Sequence, residues 1–82
     1  MSANRRPRID YSPYIHQDSR GRYVVARWDD VHHNWLQPMN NAERKLTGCG
    51  GSWALTLEQL PGWRTRAQAR YQARVRFGLG EG

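Results

Sequence analysis

Asp29, Asp30, His32 and His33 form a compact carboxylate–imidazole group. Such side chains hold divalent metals, and a metal-bound water can attack a phosphodiester. The same residues also make a good polar hairpin tip, and a tip without metal or catalysis is expected. Cys49, in Gly48-Cys49-Gly50-Gly51-Ser52-Trp53, is the second chemical candidate. A thiolate nucleophile needs a base, and no His follows Cys49. A single Cys closes no internal disulfide. No Gly-Lys-Ser/Thr follows these glycines, so a phosphate-cradling loop is excluded and a flexible loop is expected.

The remaining chemistry belongs to arginine. Twelve of the 13 basic residues are Arg, and Lys45 is the other. Arg presents a planar fork of donors that fits phosphate oxygens and guanine edges two at a time; Lys does not. Arg5, Arg6 and Arg8 surround Pro7 in a segment without periodicity, which reads as a flexible arm able to enter a minor groove. Arg64, Arg66, Arg70, Arg74 and Arg76 crowd the last segment, with Gln68 and Gln72 between them. Arg22 and Arg27 flank the most strand-like run. The residues expected to bind are Arg5, Arg6, Arg8, Arg22, Arg27, Arg66, Arg70 and Arg74. Residues 1–27 carry +4, residues 28–63 carry −2 and residues 64–82 carry +4, which sum to the net charge of +6. Basic ends around a mildly acidic middle point to a polyanionic partner.

The chain has 82 residues, which makes one small domain and excludes a multidomain enzyme or a large substrate cavity. Leu, Ile, Val and Phe number only 13, low for a packed core. Four Trp and four Tyr compensate, because each buries a large area, so a folded domain with an aromatic core is expected. No apolar run is long enough to span a membrane, and no apolar stretch follows the basic start as a secretory signal requires. The expectation is a cytoplasmic protein of a bacterial cell or a phage-infected host, without cofactor or small-molecule substrate.

These side chains must be positioned by few elements. Residues 1–12 read as the basic arm, 13–78 as one α+β domain and 79–82 as a tail. The first strand begins near residues 14–17, and Asp18-Ser19-Arg20-Gly21 is a turn, Asp leading and Gly closing. Residues 22–28 form the clearest strand, with Val24, Ala26 and Trp28 on its buried face. Trp53 is also expected in the core. A polar loop over 29–34 leads to a shorter strand ended by Pro38. The three strands form an antiparallel meander. Residues 40–46 read as a short helix capped by Asn40. Residues 47–51 are loop, 52–57 a fourth strand or helical turn, and Pro61-Gly62 a break. Residues 65–77 fit two templates. Their strict alternation suits a half-buried strand, but Ala, Arg and Gln favour a helix, which composition prefers. The helix has Thr65 at its start and Gly78 as its C′ residue. It would pack with Ala67, Tyr71 and Val75 and show Arg66, Arg70 and Arg74 beside them. The expected fold is α+β: a small antiparallel sheet of three to four strands packed against one C-terminal helix.

The hairpin over 21–37 followed by Trp63-Arg64-Thr65-Arg66-Ala67-Gln68-Ala69-Arg70-Tyr71 resembles small DNA-binding domains of the AP2 and integrase-arm type. His32-His33-Asn34 is similar in part to the His-Asn-His nuclease motif, but that site needs a further His on a following helix, and none follows His33. The Cys49 region is similar to the papain-type signature but lacks its nucleophile between Ser52 and Trp53. In size and Arg content the chain is similar to small phage proteins that block host defences, such as anti-CRISPR proteins. Two functions follow as expectations. One is a non-catalytic nucleic-acid-binding protein, with DNA ahead of RNA. The other is a phage- or mobile-element-type inhibitor docking on an acidic host protein surface through Trp, Tyr and Arg hot spots.

Overall fold

The computed structural model describes residues 10–77, so Arg5, Arg6 and Arg8 and the C′ position at Gly78 lie outside the described residues. The fold is α+β, with two three-stranded antiparallel sheets and two helices. β1 (Ile15–Gln17) and β2 (Tyr23–Val25) form the first hairpin. Its turn is closed by Asp18, whose Oδ1 accepts the backbone N–H of Arg20 and of Arg22, each at 2.9 Å. Gly21 takes φ +82°, a conformation that costs glycine nothing.

The run over 22–28 is split. Ala26 leaves the ladder and donates its N–H to the Tyr14 carbonyl at 2.8 Å. The chain then enters β3 (Arg27–Asp29) in a second sheet. β1, β2 and β6 (Gly62–Trp63) make one sheet, and β3, β4 (Asn34–Pro38) and β5 (Gly51–Ala54) make the other. This corrects the single meander and the one-sheet plan of the AP2 and integrase-arm resemblance. Pro61-Gly62, read as a break, instead leads into β6.

The reason lies in Val24-Val25-Ala26, all fully buried. Neighbours on a strand point to opposite faces, so both faces of β2 must be covered. Val25 joins Tyr11, Ile15, Ala69 and Ala73 in one cluster. Val24 joins Ala26, Ala54 and Leu60 in another. Tyr11 is core, so the fold begins inside the segment read as an arm. Gln37 links the two sheets, its amide donating to the Val25 carbonyl at 3.0 Å and the Pro61 carbonyl at 3.1 Å.

α1 (Asn41–Thr47) carries the expected Asn40 cap: Asn40 Oδ1 accepts from Glu43 N–H at 2.8 Å, and Glu43 Oε1 accepts from Asn40 N–H at 3.2 Å. α2 (Arg66–Phe77) resolves the last segment as a helix. Thr65 and Gln68 exchange the same paired bonds at its start. Its packed stripe is Ala69 and Ala73, both 0% exposed, which corrects the expected stripe of Ala67, Tyr71 and Val75. Methyl side chains let the helix axis lie close to the sheet, which a Tyr–Val stripe would not.

Two further expectations are corrected. Trp28 is 43% exposed and Trp53 is 53% exposed. The core cluster is filled instead by Val24, Ala26, Ala54 and Leu60, with Trp35 and Leu57 against it. Trp28 lies on the edge strand β3, while Trp53 is registered against Leu36 on the face opposite Ala54.

Candidate nucleic-acid interface

The fold sorts the arginines into two groups. Arg22 is turned inward. Its Nη2 lies 2.8 Å from Asp18 Oδ2, and its Nε donates to the same oxygen at 2.9 Å. Nη2 also reaches the carbonyls of Glu58 at 3.4 Å and Leu60 at 3.3 Å. Burial alone would raise the Asp18 pKa, but the Arg22 side chain and the N–H groups of Arg22 and Arg20 hold it below the usual value. Arg22 therefore fastens the first turn to the segment before β6, and its place among the binding residues is not supported by its geometry. Arg76 is consumed more completely, with a side chain only 6% exposed. Its Nη1 and Nη2 meet Glu43 Oε1 and Oε2 at 2.9 and 3.1 Å. Nη1 also donates to the Pro38 carbonyl at 2.8 Å, and the guanidinium lies over the Trp63 ring. This fork pins α1 to α2 and lowers the Glu43 pKa.

The second group stays outside. Arg27, Arg64, Arg66, Arg70 and Arg74 are exposed, and none forms an ion pair among the described residues. Arg66 rests over the Tyr23 ring at 5.1 Å. A guanidinium attracted to a ring face is not consumed by a carboxylate and keeps N–H donors for an anion. Arg66, Arg70 and Arg74 follow each other at i, i+4 along α2, so they form one row about 12 Å long by helix rise. No Asp or Glu occurs within α2. Asp10 feels Arg70 only after the Ser12 N–H and hydroxyl, which are the larger causes of its lowered pKa. Next to the row, Tyr71 is 59% exposed and Val75 is 41% exposed.

Of the arginines expected from the sequence to bind, Arg27, Arg66, Arg70 and Arg74 are exposed, and so, against expectation, are Tyr71 and Val75. Arg64, just before α2, is exposed as well and was counted only as part of the basic segment. The Asp29–His32 group is a hairpin lock: His32 Nδ1 lies 2.7 Å from Asp29 Oδ2, and Asp29 Oδ1 accepts from Val31 N–H at 2.9 Å. His33 takes φ +55° at the end of that loop. Among the described residues no three His, Cys, Asp or Glu side chains gather as a metal-holding group. Cys49 is exposed in the loop after α1. No helix among the described residues is long and apolar enough to cross a membrane.

No protein-family model, curated protein or solved structure matches the chain.

Proposed function

We propose that the protein is a small non-catalytic nucleic-acid-binding module, acting on DNA in the cytoplasm of a bacterial or phage-infected cell. The supporting observation is the exposed Arg66–Arg70–Arg74 row on a helix without a carboxylate. Its length of about 12 Å compares with the width of a major groove. The row contacts phosphates, and the exposed Arg64 and Arg27 add positive charge elsewhere on the surface. Arg5, Arg6 and Arg8 add charge from the N-terminal segment, bringing a net +6 to the polyanion. Affinity is then mainly electrostatic and falls steeply with salt.

The test is a titration of a labelled random duplex by fluorescence anisotropy at low and near-physiological salt. Micromolar or tighter binding that weakens sharply with salt is expected. No binding at low salt contradicts the reading.

The exposed Tyr71 and Val75 beside Arg70 and Arg74 favour a second reading, an inhibitor of the phage or mobile-element type docking on an acidic host protein surface. Capture of partners from nuclease-treated host lysate separates the two. A partner that survives the nuclease supports the inhibitor, and one lost with the nucleic acid supports the module.

A further inference from the structure

The outer face of the second sheet carries a row that the α2 surface does not explain. Register places Arg27 against Leu36 and Leu36 against Trp53, so cation, aliphatic and indole lie side by side across β3, β4 and β5. Successive side chains alternate faces, and Ala54 is the buried neighbour, so this row faces away from the core. Arg27 is exposed and Trp53 is 53% exposed. One step along the same face, Asp29 pairs with Asn34. His32, held by Asp29, meets the Trp53 ring at a centroid distance of 6.0 Å and 67°, steeply rather than flat. The imidazole braces the indole without stacking on it. Leu55, just past β5, is 71% exposed.

We infer that the Arg27–Leu36–Trp53 row is a stacking platform for the unpaired bases of a single-stranded nucleic acid. This rests on the nucleic-acid reading and adds a second surface to it. An indole is a flat π surface on which any base can stack, and Arg27 in the same row supplies the cation for the adjoining phosphate. The carboxylate on this face, Asp29, is occupied by the His32 imidazole and by the backbone N–H groups of Val31 and His32, and these bonds, the imidazole first, hold its pKa low. Its lone pairs are thus turned into the hairpin. A second copy of the chain is the poorer occupant, because two molecules of charge +6 repel. A strand with splayed bases matches both the open ring and the overall charge.

The experiment compares two labelled strands of equal length on the unaltered protein, one with bases and one with abasic sugars throughout. Both carry the same phosphates, so only stacking differs. The strand with bases should bind about tenfold tighter, the size of one base–aromatic stack. Trp53→Ala should bring the ratio close to one, and Trp53→Phe should keep most of it. Arg70→Ala with Arg74→Ala should weaken both strands and leave the ratio unchanged. Equal affinities for the two strands in the unaltered protein overturn the inference, as does an unchanged ratio in Trp53→Ala. If duplex still binds in a salt-dependent way, the underlying reading survives that outcome. If no nucleic acid binds at all, both fall together.

Discussion

The arginines of this chain meet different fates, and each fate predicts a different loss. Arg22→Ala leaves Asp18 Oδ2 buried without its partner, while Oδ1 keeps two backbone N–H groups. An unmet buried acceptor costs about 1–3 kcal/mol, so the variant should unfold at lower denaturant. Its affinity for DNA, measured while folded, should change little. Loss of affinity without loss of stability would return Arg22 to the interface. Arg70→Ala with Arg74→Ala should do the opposite, weakening binding while leaving the unfolding midpoint nearly unchanged. The sequence showed that the chain is rich in Arg, and it marked Arg22 beside a turn-forming Asp18. It could not show that Arg76 is spoken for, because Glu43 lies 33 positions away and only the fold joins them.

At the scale of elements, the signals that match the structure were short-range, including the helix weighed against a strand in the last segment. The Asp18–Gly21 turn, the Asn40 cap and the helical composition of residues 66–77 each depend on neighbours within a few positions, and each appears where expected. The failures were long-range. Which stripe of α2 packs depends on what the sheet offers, and a Tyr–Val stripe looked more apolar than Ala69 and Ala73. The split at Ala26 was hidden because Val24-Val25-Ala26 reads as one strand, although its lack of alternation marks burial on both faces. Two substitutions test this packing. Ala69→Leu forces a branched side chain into a fully buried site against Val25 and Ile15 and should destabilise by about 1–3 kcal/mol. Ala67→Leu, on the exposed side, should change stability far less; equal losses would contradict the assigned face. Gly51→Ala would bring a Cβ to 2.9 Å from Leu36 Cδ1 and 3.0 Å from the Gln37 carbonyl. It should loosen β5 from β4 and lower the thermal midpoint, whereas Gly50→Ala, in open space, should not.

At the scale of the molecule, β2 sends Val25 into one core cluster and Val24 into the other, and carboxylates tie the elements around it. Glu58 accepts the Ser19 N–H at 2.8 Å, and that bond, together with the Ser19 hydroxyl, its own backbone N–H and the Thr56 side chain, lowers its pKa from 4.5 to about 2. Glu43 and Asp18 are also lowered, by Arg76 and by the Arg22 turn. In the unfolded chain these groups take up protons first, so their stabilisation is complete above the unfolded value and lost as pH falls through the folded one. The thermal midpoint should therefore drop between pH 4.5 and about 2, and Glu58→Gln should flatten that drop. A midpoint level across this window would contradict the assigned bonds. Arg22 pairs inward with Asp18 and Arg76 with Glu43, which separates these two arginines from Arg27, Arg64, Arg66, Arg70 and Arg74, exposed and without an ion pair among the described residues. That separation is the central claim, and the salt dependence of duplex binding tests it most directly. The slope of log K against log salt should flatten by about 2 in Arg70→Ala with Arg74→Ala, since each arginine neutralises close to one phosphate. An unchanged slope, with the variant folded, would mean that the α2 row does not touch the nucleic acid.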